Sequence, residues 1–192
     1  MTKTLYCPSC GEQVQAFEMF VRGIKVRHCP QCGTQIKLRP PTTPLPPLEV
    51  VLIAQDSMPL SEMLKKLLED QGISRSGILC KDGHQIISQC TERFKNKERV
   101  DLIILDLQMQ VLDGKETARS IRLLEQSFLR EKKAPLLFFS SIRCDDTVKE
   151  FLTEVKPAAF LYKSNDTSPS AISARIKEVI SRLFGEGKSI PK

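Results

Sequence analysis

The sequence predicts an α/β protein in which a doubly wound, five-stranded parallel sheet follows a small β module that contains paired cysteines. Three observations predict this arrangement. Five apolar runs alternate with segments of helical periodicity between residues 49 and 186. Two Cys-Pro-x-Cys-Gly motifs lie within the first 33 residues, and five prolines separate the two regions between residues 39 and 48. A length of 192 residues and a hydrophobic content of 41% are enough for one full domain and a small module.

The first module, residues 1–39, contains the two cysteine motifs. Cys7 and Cys10 form the first, and Cys29 and Cys32 form the second after eighteen intervening residues. Each Cys-x-x-Cys turn lets two thiolates reach one metal ion, and the following glycine lets the backbone fold around the sulfurs. This module resembles the zinc-ribbon family, in which β-hairpins carry the two turns. Residues 12–20 and 23–28 are the expected strands.

Four thiolates complete a tetrahedron, so we expect zinc in a structural rather than a catalytic site. Iron bound as in rubredoxin and a pair of disulfides are the alternatives. The short intervening segment has few aromatic residues, which favours zinc over iron, and a reducing compartment disfavours disulfides. His28, beside Cys29, is expected at the surface rather than as a ligand.

A closed metal site leaves the function of the ribbon to its surface. Six basic and two acidic residues give residues 1–47 a formal charge of +4, which four thiolates and a zinc ion reduce to +2. This modest charge favours protein contact over nucleic-acid contact, and charges that only keep the module in solution are a third interpretation.

Residues 40–48 are the predicted linker between the modules. Prolines remove backbone donors and favour an extended polyproline conformation, which makes a semi-rigid spacer. We therefore expect the linker to hold the ribbon apart from the second module, residues 49–186.

Nothing in the sequence predicts a membrane protein. The apolar runs are far shorter than the roughly 20 residues that a membrane span needs, and the N-terminus lacks the apolar stretch of a secretory signal. We expect a cytoplasmic protein without membrane contact, whose seven cysteines are ligands or thiols. Cys80 and Cys90 are expected to be buried, and Cys144 to be partly exposed near the reactive edge of the sheet.

The second module is predicted to contain five βα units in succession. The strands are expected at residues 49–56, 76–80, 100–106, 134–140 and 158–162. The helices that follow them are indicated, in chain order, by the apolar positions Leu60, Met63, Leu64, Leu67 and Leu68; Ile86, Ile87, Cys90 and Phe94; Ile121, Leu123, Leu124 and Phe128; Val148, Phe151, Leu152 and Val155; and Ile172, Ile176, Val179, Ile180 and Leu183. Continuous apolar strands are buried on both faces, so helices should cover both sides of a parallel sheet.

Polar side chains follow four of these strands. Asp106 ends the third strand, and Asp56, Ser140 and Lys163 end the first, fourth and fifth. Because reactive groups gather outside the carboxyl ends of parallel strands, we expect the four side chains to meet. Neighbouring carboxylates can hold a divalent cation, and that ion with an ammonium group can offset charge as a carboxylate attacks a phosphoryl group. Taken singly, the same residues would more often cap a helix, satisfy a backbone group or lie in solvent.

Four motifs together resemble the response-regulator receiver domain of two-component signalling. They are LDLQMQVLDG at residues 105–114, AQDS at 54–57, LLFFSS at 136–141 and FLYKS at 160–164. The resemblance implies a flavodoxin-like sheet with the strand order 2-1-3-4-5. It also implies the site residues: Asp106 as phosphoacceptor, Asp56, Asp106 and the backbone carbonyl of Gln108 as magnesium ligands, Lys163 as the ammonium group, and Ser140 and Phe160 as the switch residues.

The same resemblance implies function and partners. The expected protein is a phosphorylation-controlled response regulator that assists only its own phosphotransfer and dephosphorylation, and is not an enzyme acting on a separate metabolite. A sensor histidine kinase or phosphotransfer protein would donate the phosphoryl group, and a downstream protein would read the response. A homodimer through the fourth helix, fifth strand and fifth helix of the domain is a further expected assembly.

Three residues depart from the family pattern. Gln55 replaces the first of two acids, so magnesium should bind more weakly. Gln110 replaces a common proline. Ser164 replaces the proline after the lysine, so we expect a trans bond between Lys163 and Ser164. These departures leave two alternatives open: a phosphate-independent scaffold with the receiver fold, and a zinc-ribbon nucleic-acid binder gated by the receiver.

Overall fold

The computed structural model describes residues 4–7, 9–10, 12–21, 23–36, 46–163 and 168–185. Most of the predicted linker and the peptide bond between Lys163 and Ser164 lie outside the described residues.

The cysteine module consists of two small antiparallel sheets. Strand β1 (Leu5–Cys7) pairs with β2 (Glu12–Val14), and β3 (Phe17–Val21) pairs with β4 (Ile24–His28). The single strand expected at residues 12–20 is therefore wrong, because its two halves pair with different partners. The turn between β3 and β4 contains Gly23 at φ +78°, a left-handed conformation that glycine adopts without strain.

The second module is a parallel sheet of five strands covered by helices, as predicted. Its strands are β5 (Val51–Ala54), β6 (Gly77–Cys80), β7 (Leu102–Leu105), β8 (Leu136–Ser140) and β9 (Ala158–Tyr162). They lie in the order β6-β5-β7-β8-β9, which confirms the expected order 2-1-3-4-5. The intervening helices are α1 (Met58–Asp70), α2 (Gly83–Lys95), α3 (Gly114–Ser127), α4 (Asp146–Glu154) and α5 (Pro169–Gly185).

The two faces of the sheet carry alternate side chains of each strand, because successive strand residues point to opposite sides. One face packs against α2, α3 and α4, and the other packs against α1 and α5. Within the described residues, no helix is both long and apolar enough to cross a membrane. Cys80 and Cys90 are buried as expected, and burial raises their thiol pKa to about 11 and about 12. Leu123, expected on the apolar face of α3, is instead 63% exposed.

Three helices begin with an aspartate that caps the first turn. The carboxylates of Asp82, Asp113 and Asp145 each accept a hydrogen bond from the backbone N–H three residues later, at 2.9, 2.8 and 2.9 Å. Such caps satisfy backbone donors that the helix itself leaves unpaired. They fix where α2, α3 and α4 begin, and therefore the loops that follow β6, β7 and β8.

The two modules are in contact, so the prediction that the linker holds them apart is wrong. The backbone N–H of Tyr162 in β9 donates to the carbonyl of Ser9 in the ribbon at 2.6 Å. The Arg182 guanidinium in α5 donates to the carbonyl of Gln35. A spacer limits the distance between its ends without setting their direction, and the edge strand β9 offers backbone groups to any neighbour.

Candidate functional site

Asp106 lies at the carboxyl end of the sheet, directly after the fully buried strand β7. Its backbone N–H donates to the Ala54 carbonyl at 2.9 Å, which ties it to the end of β5. Asp106 as a whole is only 4% exposed. One oxygen, Oδ1, accepts the Ser140 hydroxyl at 2.7 Å and the Gln108 N–H at 3.2 Å, and Oδ2 accepts from Lys163 Nζ. Charge-assisted bonds of this kind are stronger than neutral ones.

Lys163 reaches Asp106 because it follows β9, the strand beside β8. Its backbone N–H donates to the Ser140 carbonyl at 2.8 Å, so the main chains at both strand ends are joined. Its ammonium lies 5.5 Å from the centre of the Phe139 ring, within the range of a cation–π contact. The structure therefore brings Asp106, Ser140 and Lys163 into direct contact.

A cavity of about 520 Å³ opens beside these residues at the same edge of the sheet. Its lining includes Asp56, which is exposed, and Gln108, with further residues from the β7–α3 loop. Asp56 thus faces the cavity that Gln108 borders. The oxygen donors there are of the kind that Mg²⁺ prefers, so the residues present fit a magnesium ion.

Gln55 is buried beside this edge, at 1% exposure, and neither atom of its side-chain amide has a hydrogen-bond partner in the described structure. A buried amide without a partner carries an energetic cost.

Gly114 is a site residue whose role the sequence analysis missed. A Cβ atom at this position would lie 2.1 Å from the Asp106 carbonyl oxygen and 2.9 Å from the Leu107 Cα. Its N–H donates to the Leu107 carbonyl at 3.0 Å. The start of α3 therefore packs directly on the backbone of Asp106. The Asp-Gly pair in the motif was a signal for this close approach, in addition to a turn.

Phe160, the predicted aromatic switch residue, is 4% exposed and lies in β9 on the side that faces the ribbon. Cys144 is also buried, at 7% exposure, and borders a small cavity with Cys10 and Tyr162. The prediction that Cys144 is partly exposed is wrong, because the ribbon covers it. Burial raises the pKa of its thiol to about 12.

The four ribbon cysteines form one cluster, in which the sulfurs of Cys7, Cys10, Cys29 and Cys32 lie within 4.8 Å of one another. The separations are 3.6 Å between Cys7 and Cys32 and 3.7 Å between Cys10 and Cys29. A tetrahedral metal with bonds of about 2.3 Å needs sulfurs about 3.8 Å apart, whereas a disulfide needs about 2.05 Å. The cluster can therefore hold a metal ion, and all four cysteines are free thiols.

Without a cation, protons would stay on Cys7 and Cys10, whose thiol pKa values are raised, whereas hydrogen bonds with Cys10 and Cys7 lower the pKa of Cys32. Hydrogen bonding with Cys32, then with Cys7, and burial raise the pKa of the Cys10 thiol far above its ordinary value. A metal that stabilises thiolates would displace these protons, which is typical of a cysteine metal site. His28 is partly buried, and its Nδ1 is 2.8 Å from the Gly33 carbonyl oxygen, so one ring nitrogen contacts the backbone of the second turn.

The β3–β4 hairpin presents an apolar face. Residues directly opposite each other in an antiparallel pair share a face, and the pairs on this one are Phe17 with His28, Met19 with Val26, and Val21 with Ile24. Four of these side chains are 42–67% exposed. On the opposite face, Glu18 forms ion pairs with Lys25 at 2.5 Å and Arg27 at 2.9 Å.

A buried ion pair far from the predicted site also escaped the sequence analysis. Arg122 in α3 pairs with Glu125 at 2.7 Å, and both side chains are at most 8% exposed. Arg122 also donates to the carbonyls of Val155, Ala134 and Pro157, at 2.9, 3.0 and 3.2 Å. Because burial opposes its charge, the pKa of Arg122 is lowered, although Glu125 offsets part of this effect. The pair ties α3 to the segments that enter β8 and β9.

Residues 51–177 match the family described as response regulator receiver domain. The structure is similar to the receiver domain of the histidine kinase CKI1 from Arabidopsis thaliana, solved with Mg²⁺ and BeF₃⁻, at 23% identity and a TM-score of 0.60, over 71% of this chain and 90% of that one. It is also similar to the chemotaxis protein CheY4 of Vibrio cholerae, at 23% identity and a TM-score of 0.53, over 69% of this chain and 98% of that one. A third similar structure is CheY from Borrelia burgdorferi in a complex with CheX, BeF₃⁻ and magnesium, at 20% identity and a TM-score of 0.52, over 69% of this chain and 89% of that one. At these identities the similar structures show the fold, and the family match begins after the ribbon.

Proposed function

The chain belongs to the response regulator receiver domain family, and we propose that it is a phosphorylation-controlled response regulator that accepts a phosphoryl group on Asp106. Receiver domains are in general signalling domains rather than enzymes, and they belong to two-component systems. The observation that carries the proposal is the Asp106 carboxylate, held by the Ser140 hydroxyl and the Lys163 ammonium beside an open cavity.

In the proposed reaction, an Oδ atom of Asp106 forms a bond to the phosphorus of the donor. The bond from phosphorus to the donor's leaving atom breaks, and the leaving group keeps the electron pair. The product is an acyl phosphate on Asp106. Lys163 offsets the negative charge that builds up on the phosphoryl oxygens, since its ammonium already contacts this carboxylate.

Magnesium would be held by Asp56, Asp106 and the backbone carbonyl of Gln108, and when bound it would offset charge on the phosphoryl group. With Gln55 in place of an acid, the site has one negative charge fewer for the ion. We therefore propose that magnesium binds here more weakly than it would with a second acidic residue at position 55.

Phosphorylation would be reported by Ser140 and Phe160. The Ser140 hydroxyl donates to Asp106 Oδ1 in this structure, and it would turn toward the phosphoryl oxygens once they are present. Phe160 is buried on the ribbon side of the neighbouring strand β9. Ser140 is therefore one strand away from the surface formed by α4, β9 and α5, and a change in its position can alter that surface.

The ribbon, in this proposal, binds zinc as a structural ion and contacts a downstream protein. Its apolar hairpin face supports protein contact, because exposed apolar surface of this kind is typical of interaction sites. Gating of nucleic-acid binding has less support. Both described hairpin cations, Lys25 and Arg27, already pair with Glu18, so less of their charge remains for phosphates.

The phosphoryl donor would be a sensor histidine kinase or a phosphotransfer protein, and the protein would act in the cytoplasm. Outside its own phosphotransfer and dephosphorylation, we propose no reaction on a separate metabolite.

Incubation with magnesium and a small phosphodonor tests the proposal. Intact-mass measurement should show the gain of one phosphoryl group, which hydroxylamine removes. Asp106→Asn should abolish the gain, whereas Asp82→Asn, which changes an aspartate that caps α2 and does not line the site cavity, should keep it. No gain in the folded wild-type protein would contradict the proposal.

A phosphate-independent scaffold is the second candidate, and the presence of Gln55 where the family has an acidic residue favours it. The same experiment separates the two. A protein that binds its partner equally well as wild type and as Asp106→Asn, and that never gains a phosphoryl group, would be a scaffold.

A further inference from the structure

The ribbon covers the surface formed by α4 (Asp146–Glu154), β9 (Ala158–Tyr162) and α5 (Pro169–Gly185). The Tyr162 N–H donates to the Ser9 carbonyl at 2.6 Å, so the ribbon takes one of the outward backbone donors of the edge strand. Arg175 donates to the Tyr162 carbonyl at 2.5 Å and lies 3.5 Å from the Ser9 carbonyl. Arg182 donates to the Gln35 carbonyl.

The contact has a polar part, formed by these hydrogen bonds, and an apolar part, in which Val14 and Ile36 of the ribbon share one buried cluster with Phe160. Two cavities, of about 370 and 220 Å³, lie along the contact and are lined by residues of both modules. Contacts between modules of one chain resemble transient interfaces, in which relative motion is expected, and the two open cavities show that this contact is not fully packed. The hydrogen bonds on the ribbon side use backbone carbonyls, which water can replace when the ribbon leaves.

The covered surface is also joined to the Asp106 site through consecutive residues of the chain. Tyr162 contacts the ribbon, and the next residue, Lys163, contacts both the Asp106 carboxylate and the Ser140 carbonyl. If Lys163 follows a phosphoryl oxygen away from the carboxylate, any accompanying movement of its backbone is passed to the end of β9, because Tyr162 and Lys163 share a peptide bond. A hydrogen bond of 2.6 Å at Tyr162 leaves little room for such a shift.

We propose that the ribbon is a releasable intramolecular occupant of the α4–β9–α5 surface, and that occupation of the Asp106 site by a phosphoryl group releases it. The release of the ribbon by a phosphoryl group rests on the proposed function, whereas its docking does not. While the ribbon is docked, a second copy of the chain cannot pair through this surface, so the predicted homodimer requires the ribbon to move first. Release would expose the surface to partners and free the ribbon at the same time.

Hydrogen exchange of single amides, followed by NMR on the full chain, tests the docking. The Tyr162 amide is the reporter, because its acceptor belongs to the ribbon. The Ile103 amide, which donates to the Pro135 carbonyl at 2.9 Å inside the receiver sheet, reports whether the domain stays folded. In the wild-type protein Tyr162 should be protected. Unprotected exchange at Tyr162 beside a protected Ile103 would overturn the proposal without any variant.

Arg182→Ala should accelerate exchange at Tyr162 about tenfold and leave Ile103 unchanged, because it removes a charged donor from the ribbon contact. Lys177→Ala is the matched control. It removes a cation from the same helix that donates to Gln71 Oε1, away from the ribbon. Equal exchange at Tyr162 in both variants, with Ile103 protected, would overturn the proposal.

Addition of magnesium and beryllium fluoride to the wild-type protein tests the release. Shifts of the Leu107 and Gln108 amides would show that the Asp106 site is occupied, and Tyr162 should then exchange faster. Occupation without faster exchange would overturn the coupling. Absence of any shift at Leu107 and Gln108 would instead count against the proposed function, and the Arg182→Ala comparison would still decide whether the ribbon is docked.

Discussion

The substitution Gln55→Glu restores an acidic residue beside Asp56 without changing the length of the side chain. Two unit charges about 4 Å apart interact by about 1 kcal/mol in water and about 4 kcal/mol at an effective dielectric constant near 20, and a divalent ion doubles these values. Gln55 is 1% exposed, which places the new charge toward the stronger limit. Removing the carboxylate from water offsets part of the gain. We expect magnesium to bind roughly ten- to a hundredfold more tightly, or by about 1.4–3 kcal/mol.

Without magnesium, the same substitution should destabilise the fold. The new carboxylate would replace an amide that already has no partner in the described structure, and a buried polar group without a partner costs about 1–3 kcal/mol. The variant should therefore be less stable than the wild type at zero magnesium and approach or exceed it as magnesium is added, since a ligand stabilises the state that binds it.

Thermal unfolding at a series of magnesium concentrations measures both effects. Circular dichroism follows the unfolding, because the chain contains no tryptophan for fluorescence. Gln126→Glu is the control, since Gln126 is exposed near the end of α3 that lies away from the site. Its unfolding temperature should follow that of the wild type at every magnesium concentration. If Gln55→Glu also follows the wild type, Gln55 does not border a magnesium site and the reasoning is wrong.

Three further predictions concern the parts of the structure that support the site. Gly114→Ala should lower the free energy of unfolding by about 1–3 kcal/mol and slow phosphorylation of Asp106, because the added Cβ would lie 2.1 Å from the Asp106 carbonyl oxygen. Calorimetry measures the loss of stability, and phosphodonor kinetics measure the slower phosphorylation. Glu125→Leu should cost about 3–5 kcal/mol by leaving the buried Arg122 charge without its carboxylate partner. This cost corresponds to a fall of roughly 6–20 °C in Tm, and an unchanged Tm would show that the pair does not hold α3. If the ribbon binds the proposed zinc ion, a chelator should make four additional thiols reactive and eliminate the ordered β1–β4 strands in circular dichroism. Thiol titration before and after chelation measures the first effect, and an unchanged thiol count would contradict the proposed metal.

The sequence was sufficient to predict the convergence of Asp106, Ser140 and Lys163. Each residue directly follows an apolar run, and the carboxyl ends of neighbouring parallel strands must meet at one edge of a sheet. The cysteine spacing was similarly informative, because two tight turns leave few ways to place four sulfurs. In both cases a local sequence pattern was enough to predict which side chains lie close together.

Contacts between distant segments could not be predicted in this way. The Arg122–Glu125 pair looks like an ordinary surface pair three residues apart on a helix, and only the packing of the segments that enter β8 and β9 buries it. Docking of the ribbon depends on the outward N–H of Tyr162, which has no sequence signature. The burial of Cys144 follows from that docking. The expectation of a ribbon held apart by the linker and the expectation of a partly exposed Cys144 were therefore wrong for the same reason.

Chemical mapping of the phosphorylated residue tests the central claim most directly. After treatment with magnesium and a small phosphodonor, borohydride reduces an aspartyl phosphate to homoserine, and peptide sequencing by mass spectrometry locates the converted residue. The account predicts conversion at Asp106 alone. Conversion at Asp56 or Asp113, or at no aspartate of the folded protein, would contradict it.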